Sequence, residues 1–356
     1  MGLSRSYLII GEKKISFDEF LKSDQVNDTS EFTALRTFLI EWKNDKPNIK
    51  LQTSGTTGPP KTISAPKTQL IKSANRTNEF FNLSKSSTLF QCLPLSFIAG
   101  KLMVIRTLIS GGTLVSIFPS INPLKNIKKI KLSFAAFTPH QIVSILKDDE
   151  SAKTLSKIDN VIIGGSKLNL SLENKLIDLK VNAYETYGST ETYTHVALRK
   201  IGEQFFQSMN TIFLSQHKNG CLIIKGDSFL SKAILTNDYV ALKSTTSFKW
   251  LGRSDNIINS GGIKCSPELI ETAIEESMSN DFCVSSVPDE TLGEKIVVVI
   301  SNKEVPPTKN QFTNVPKGLV PKGFIRINEL PKTESNKVKR NELKTLIKDL
   351  IATELK

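Results

Sequence analysis

Gln52–Thr62, QTSGTTGPPKT, is the stretch from which the rest of this 356-residue chain can be read. Five of its eleven residues are Ser or Thr, two are Gly and one is Lys. Gly55 and Gly58 carry no Cβ and tolerate positive φ, so a backbone there can come close to an anion. Backbone N–H groups and the hydroxyls of Thr53, Ser54, Thr56 and Thr57 can donate hydrogen bonds, and Lys61 adds a positive charge. Such a composition suits a polyphosphate. The familiar phosphate loop reads G-x-x-x-x-G-K-[ST]. Here Pro60 stands where the second Gly belongs and removes a backbone N–H, so the kinase or GTPase cradle is not what is written. A polar surface turn of similar composition is the competing reading of the segment alone.

Composition narrows the classes. The chain is 39% hydrophobic and 23% charged, ordinary for a globular protein, and its length predicts two domains or one large domain with an appendage. No apolar run approaches the roughly 20 residues a membrane helix needs. MGLSRSYLIIGEKK lacks the apolar core and cleavage site of a signal peptide. Cys92, Cys221, Cys265 and Cys283 lie far apart with no C-x-x-C pair, which predicts reduced thiols in a cytoplasmic protein. His140, His195 and His217 are equally scattered, so no transition-metal site is expected. The net charge of +12 raises a nucleic-acid reading, sharpest at Lys125–Lys131, KNIKKIK. No aromatic residues interleave with those lysines, so no stacking platform is implied, and no nucleic-acid partner is expected. A basic surface also suits anionic small molecules such as ATP or coenzyme A.

Short apolar runs at 113–118, 133–137, 161–163, 221–224 and 295–300 predict buried strands. Helical patterns lie at 101–109, 140–146, 170–179 and 267–276, the last opened by Pro267 and continued by acids. Alternating strands and helices predict an α/β architecture. Residues 302–323 read as an extended connection. The expected domain boundary falls at the GRSD turn, with domains of 1–252 and 253–356.

Four further segments carry chemistry. Tyr187–Thr192, YGSTET, offers an aromatic ring, a glycine, hydroxyls and Glu191, and a carboxylate near ATP most naturally serves Mg²⁺. Gly164, Gly165 and Ser166 come directly after a short apolar run, and a glycine pair at a strand end leaves room for a flat ligand such as adenine. Asp238 is a candidate for ribose hydroxyls, with Arg253 beside it. LPKTESNKVKR, 330–340, brings Lys337 among polar residues. Taken singly, each is a weak signal, and an isolated Asp or Lys reads first as an exposed surface charge.

Together and in this order, TSGTTGPPK, IIGGSKL, YGSTE, TND, WLGRSDNIINSGGIKCSPELIE, VPDETLGEKIVVVI and LPKTESNKVKR resemble the adenylate-forming superfamily of acyl- and aryl-CoA ligases. The resemblance runs from about Leu51 to the C-terminus. It implies that fold: a shortened large N-terminal α/β domain plus a small mobile C-terminal α+β domain, with a hinge near Asp255. It implies ATP-binding by Thr53, Ser54, Gly55, Thr56, Thr57, Gly58, Lys61, Gly164, Gly165, Ser166, Tyr187, Gly188, Thr190, Asp238 and Arg253. Mg²⁺ would sit on Glu191, and Lys337 would bridge the substrate carboxylate and the α-phosphate. Gly261, Gly262 and Lys264 would meet coenzyme A. The chain departs from the pattern at Thr62, at Asn237 in place of the Gly of TGD, and at Asn336 before Lys337. Asn and Gly are the two residues that best tolerate left-handed backbone, so the last two swaps need not abolish activity. Leu93–Gly112 resembles the segment bordering the acyl pocket, with Phe97 where many relatives carry His. Arg106 there is either a solvent-facing point on an amphipathic helix or the partner of a second substrate carboxylate. Within the superfamily the chain is most similar to the o-succinylbenzoate–CoA ligases of menaquinone synthesis, whose acid is dicarboxylic. Another small aryl- or acyl-CoA ligase, or a non-catalytic nucleotide-binding relative, is the alternative.

Overall fold

A computed structural model describes residues 6–10, 13–23, 30–52, 62–125, 127, 130–189, 191–226, 232–278, 281–302, 305, 307–333 and 338–354. The chain forms two compact units, Met1–Leu168 with Leu172–Ile212 and Gly226–Lys232, and Asn169–Ser171 with Phe213–Lys225 and Ala233–Lys356.

The first unit begins with β1 (Tyr7–Ile10), β2 (Lys13–Ser16), α1 (Phe17–Lys22), α2 (Ser30–Lys43), β3 (Asn48–Gln52) and β4 (Thr62–Pro66). Next come α3 (Lys67–Phe80), β5 (Thr88–Gln91), α4 (Ile98–Ser110), β6 (Thr113–Ser116), β7 (Phe134–Phe137), α5 (Pro139–Ile145) and α6 (Asp149–Leu155). It closes with β8 (Asn160–Ile163), α7 (Leu170–Asp178), β9 (Ala183–Gly188), β10 (His195–Lys200) and β11 (Phe206–Ser208). Its main sheet runs β11-β10-β9-β8-β7-β5-β6-β1-β2. The run from β9 to β1 is parallel, and β10 and β2 close it as antiparallel neighbours. TLVS in β6 and FAAF in β7 are buried at every position, as strands covered on both faces must be, and so they read as unbroken apolar runs. Local chemistry sets the helix ends. Thr138 and Gln141 form a capping box with Pro139 at the first turn of α5, and Gly111 ends α4 in the left-handed region at φ 72°.

The order of strands creates the place where a ligand belongs. The chain leaves β5 for β6 on one side and later returns to the other side of β5 with β7, β8 and β9. In open parallel sheets, ligands bind outside the carboxyl ends of the strands at such a reversal. The segments that leave β5, β8 and β9 all emerge at that edge.

The second unit holds β12 (Ile212–Gln216), β13 (Cys221–Gly226), β14 (Ile234–Ser244) and β15 (Ser247–Arg253), adjacent in that order. Beyond them lie β16 (Ile258–Ser260), β17 (Ile263–Cys265), α8 (Pro267–Ile274), β18 (Phe282–Asp289), β19 (Gly293–Ser301), β20 (Gly323–Ile327) and α9 (Arg340–Glu354). The sheet β17-β16-β19-β18, with β20 beside β19, buries Val284, Val298 and Ile300 on one side and Val297, Val299 and Leu343 on the other. This grouping does not divide at 252/253, because β12–β15 belong with the C-terminal elements β16–α9. Gly252 shows why, since at φ +137° a Cβ there would lie 1.9 Å from Ser266 Oγ. Only glycine lets β15 press this closely onto the start of α8. The 302–323 connection is also less extended than its composition predicts. It contains 3₁₀ turns at Lys309–Phe312 and Lys317–Leu319, the first opened by a Thr308–Gln311 capping box.

Candidate active site

The phosphate-loop segment springs from the β3–β4 hairpin. Gln52 pairs with Thr62 at its open end and Asn48 with Pro66 at its base. The Lys101 ammonium of α4 donates to Lys50 O at 2.9 Å, which ties the hairpin to the helix beside β5. Thr53, Ser54, Gly55, Thr56, Thr57, Gly58 and Lys61 lie outside the described residues, as do Thr190, Asn336 and Lys337.

At the carboxyl end of β8, Gly164 fits against Thr186 of β9, and a Cβ would sit 2.3 Å from Thr186 Oγ1. Gly165, at φ +101°, has no described atom within 4 Å of its would-be Cβ. The pair thus divides its roles, close packing at Gly164 and open space at Gly165, and Ser166 comes next in the chain. At the end of β9, the half-buried Tyr187 ring packs 5.8 Å from Phe206. Gly188 is required there, because a Cβ would come within 2.3 Å of Thr194 O. The turn beyond is built by Thr192: its Oγ1 accepts from Ser189 N at 2.8 Å and lies 2.9 Å from Ser189 O and 2.7 Å from Thr194 O. Glu191 on this turn is exposed. Among the described residues no three His, Cys, Asp or Glu side chains converge on a metal position. A single exposed carboxylate fits Mg²⁺ that keeps phosphates and water in its shell.

Phe97 sits at the N-cap of α4, half-buried. At Gly100, within the first turn, a Cβ would be 2.5 Å from Pro94 O, so the helix starts tight against the segment leaving β5. Arg106 is not solvent-facing: it is 2% exposed. Its guanidinium lies over the Phe134 ring at 5.7 Å, and its Nε has no hydrogen-bond partner among the described residues. Burial pushes its pKa down to about 9. Around it gathers a polar group that the sequence did not announce. Asn78 Nδ2 donates to Arg106 O at 3.0 Å, and Thr77 Oγ1 lies 3.3 Å from His195 Nε2. Burial, then the Arg106 and Arg76 cations, hold His195 well below the ordinary histidine range. Arg76, Thr77 and Asn78 belong to α3, KTQLIKSANRTNEF, and are buried together with its apolar Leu70 and Ala74 although all three are polar. The available signal was its position between the phosphate-loop hairpin and the acyl segment.

In the second unit Asp238 of β14 lies opposite Arg253 of β15. Its Oδ1 accepts from Trp250 Nε1 at 3.1 Å and lies 3.6 Å from Arg253 Nη1. Arg253 Nη2 donates to Asp255 Oδ2 at 2.7 Å. Burial opposes ionisation of Asp255, yet Arg253, with Asn237 and Ser254, holds its pKa below the ordinary value. Asn237 is not among the residues with positive φ. It lies within β14, and its side chain helps hold Asp255, so the left-handed expectation for it fails. Gly261 and Gly262, at φ 58° and 82°, make the two-residue turn between β16 and β17 that such a hairpin favours. Both are exposed, as is Lys264.

A parallel sheet whose glycine pair and YGSTET turn share one edge, on a chain that also carries a hydroxyl-rich hairpin, has the fold of the adenylate-forming enzymes. The chain belongs to the AMP-binding enzyme family, whose match covers residues 5–212. It is 24% identical over 327 residues to 2-succinylbenzoate–CoA ligase of Staphylococcus epidermidis, a match covering 82% of this chain and 68% of the relative. It is similar to the crystal structure of an acyl-CoA synthetase (AMP-forming)/AMP-acid ligase II-like protein from Dyadobacter fermentans, with 29% identity and TM-score 0.63, covering 92% of this chain and 97% of that one. The o-succinylbenzoate coenzyme A synthetase of Bacillus subtilis, in complex with ATP and magnesium ion, shares the fold at TM-score 0.70 and 20% identity, covering 83% and 69% of the two chains. No helix among the described residues is long and apolar enough to cross a membrane.

Proposed function

We propose that this protein is an AMP-forming acid–CoA ligase that converts 2-succinylbenzoate, coenzyme A and ATP to 2-succinylbenzoyl-CoA, AMP and pyrophosphate, in the cytoplasm, for menaquinone synthesis. The family match supports the reaction class, and the staphylococcal relative's substrate supports the acid. The observation that carries the choice of a dicarboxylate is Arg106, a buried guanidinium whose Nε has no partner among the described residues. Guanidinium pairs carboxylate through two parallel hydrogen bonds, and a second carboxylate on the acid would supply the missing charge.

In the first half-reaction a carboxylate oxygen attacks the α-phosphorus, and the bond from that phosphorus to the leaving pyrophosphate breaks. Both reactants are anionic, so the barrier is largely repulsion and positioning. Lys337 would neutralise the charge between carboxylate and α-phosphate. Lys61 and the hydroxyls of Thr53, Ser54, Thr56 and Thr57 would hold the departing pyrophosphate. Glu191 would hold Mg²⁺, which supplies positive charge to the phosphates. Gly164, Gly165, Ser166, Tyr187, Gly188 and Thr190 would receive the adenine, and Asp238 with Arg253 the ribose. In the second half-reaction the coenzyme A thiolate attacks the acyl carbon and AMP departs. A turn of the small domain about Asp255 would withdraw Lys337 and present Gly261, Gly262 and Lys264 to coenzyme A.

ATP–pyrophosphate exchange across a panel of carboxylic acids tests the reading. Exchange is expected with 2-succinylbenzoate. Lys337→Ala is expected to lose exchange yet still convert supplied acyl-adenylate to thioester; equal loss of both steps would remove Lys337 from its role. Absence of exchange with every acid would make the chain a non-catalytic nucleotide binder, and exchange only with other acids would leave the ligase but change its substrate.

A further inference from the structure

The largely buried arginine that opens α9 links the segment carrying Lys337 to the segment just past Asp255. Arg340 is 19% exposed in its side chain. Its Nη2 donates to both Glu271 oxygens, at 2.9 and 2.7 Å, and its Nη1 to Val284 O at 3.0 Å. Its Nε lies 3.4 Å from Glu268 Oε1. Glu268 is itself 8% exposed. Its Oε1 also accepts from Asn256 Nδ2, and its Oε2 from Ser266 Oγ. Burial works against the Arg340 charge, but Glu271 and Glu268 outweigh it and hold the pKa above the ordinary arginine value. A cavity of about 10 Å³, near the size of one water, sits where Asn256, Arg340 and Val284 meet.

The described residues on either side of 334–337 are tied together as well. Lys332 and Val338 form an antiparallel bridge, Lys339 N donates to Pro331 O at 2.8 Å, and the Lys332 ammonium pairs with Asp281 at 2.6 Å. A hydrogen-bonded and ion-paired chain therefore runs from the Asn256 amide, next to Asp255, through Glu268 to Arg340, three residues beyond Lys337. Two carboxylates and a guanidinium this buried are costly unless each is paired, and they hold one geometry when they are.

We propose that Arg340 is a positioning residue for adenylate formation: together with Glu268 and Glu271 it fixes the exit of the Lys337 segment to the segment after Asp255, so that the two move as one body. The inference rests on the role given to Lys337 above. Misplacing a reacting group by about 1 Å costs on the order of a hundredfold in rate. The step that uses Lys337 should suffer and the step that does not should be spared.

The test measures both half-reactions, ATP–pyrophosphate exchange and thioester formation from supplied acyl-adenylate, in Arg340→Lys and Glu268→Gln. Both variants keep a polar side chain of similar length, and Arg340→Ala joins them if it folds. Lys337→Ala and thermal unfolding of each variant serve as controls. Exchange is expected to fall roughly ten- to a hundredfold while thioester formation stays within about twofold. The inference is overturned if the two half-reactions fall in parallel with the loss of folded protein, or if exchange is unchanged in both variants while Lys337→Ala abolishes it. If Lys337→Ala itself leaves exchange intact, the functional reading fails first, and the proposal falls with it.

Discussion

Arg199 and Arg106 are both largely buried arginines of the first unit, and each guanidinium lies 5.7 Å from an aromatic centroid, Phe206 and Phe134 respectively. They differ in what else surrounds them. Arg199 of β10 donates to Glu185 Oε2 through Nε at 2.9 Å and Nη2 at 2.6 Å, to Glu173 through Nη1 at 3.2 Å and Nη2, and to Glu203 O at 2.7 Å. Glu185 in turn accepts from Leu168 N at 3.0 Å, just past the Gly164–Ser166 strand tip. Burial disfavours the Arg199 charge, but its hydrogen bonds and charge pairing with Glu173 and Glu185 more than offset that, and its pKa is raised. Arg106 meets the same burial with an unpartnered Nε, and its pKa is lowered. A buried cation with its carboxylates in place is compensated, so that taking away any one partner is what destabilises the fold. One held without them raises the energy of the empty protein and gives an arriving anion something to neutralise.

The sharpest way to break that contrast is to remove Arg199. Arg199→Met leaves Glu173 and Glu185, each 6% exposed, without their cation, and should cost about 3–5 kcal/mol in urea unfolding. A loss below about 1 kcal/mol, the range of an exposed pair, would mean that the cluster is not compensated as its geometry indicates. Arg106→Met should instead leave the protein at least as stable as the wild type, and its effect should appear in substrate binding. KM for 2-succinylbenzoate should rise roughly ten- to a hundredfold, the worth of a charge-assisted hydrogen bond, with KM for a monocarboxylic analogue unchanged. Equal effects on both acids would remove Arg106 from the acyl site.

The smallest effect is in pH. The folded pKa of Arg106 lies below its unfolded value, so below about pH 9 the folded protein bears the full cost of keeping it charged. As pH rises through that value the folded state sheds its proton before the unfolded one, and the cost fades. The stability gap between wild type and Arg106→Met, measured by denaturant unfolding, should therefore narrow from about pH 8 to about pH 10. The gap for Arg199→Met should stay constant over that window, because a raised pKa keeps its contribution in full below the unfolded value. A constant gap in the first pair would show that Arg106 has a counter-charge after all.

Local patterns were readable along the chain. The runs that became β6, β7, β8 and β19 are apolar because both faces of their sheets are covered, and YGSTET and the glycine pair announce themselves by composition. Residues whose state depends on distant neighbours were not readable. Arg76, Thr77 and Asn78 lie in a polar stretch of α3 and look exposed, yet all three are buried. Arg199 meets Glu185 and Glu173 from 14 and 26 positions away, and no spacing rule connects them. Asn237 looked like a backbone substitute for glycine and acts through its side chain on Asp255.

By itself the sequence determined the superfamily and the order of its motifs, because glycine, hydroxyl and lysine spacing is a local property that needs no folded context to be recognised. Only the tertiary structure decided which charges are neutralised and which are held in reserve. Arg106 and Arg199 are the same residue in the chain. Their difference arises because burial removes water from both, while among the described residues folding brings carboxylates to Arg199 and none within pairing distance of Arg106.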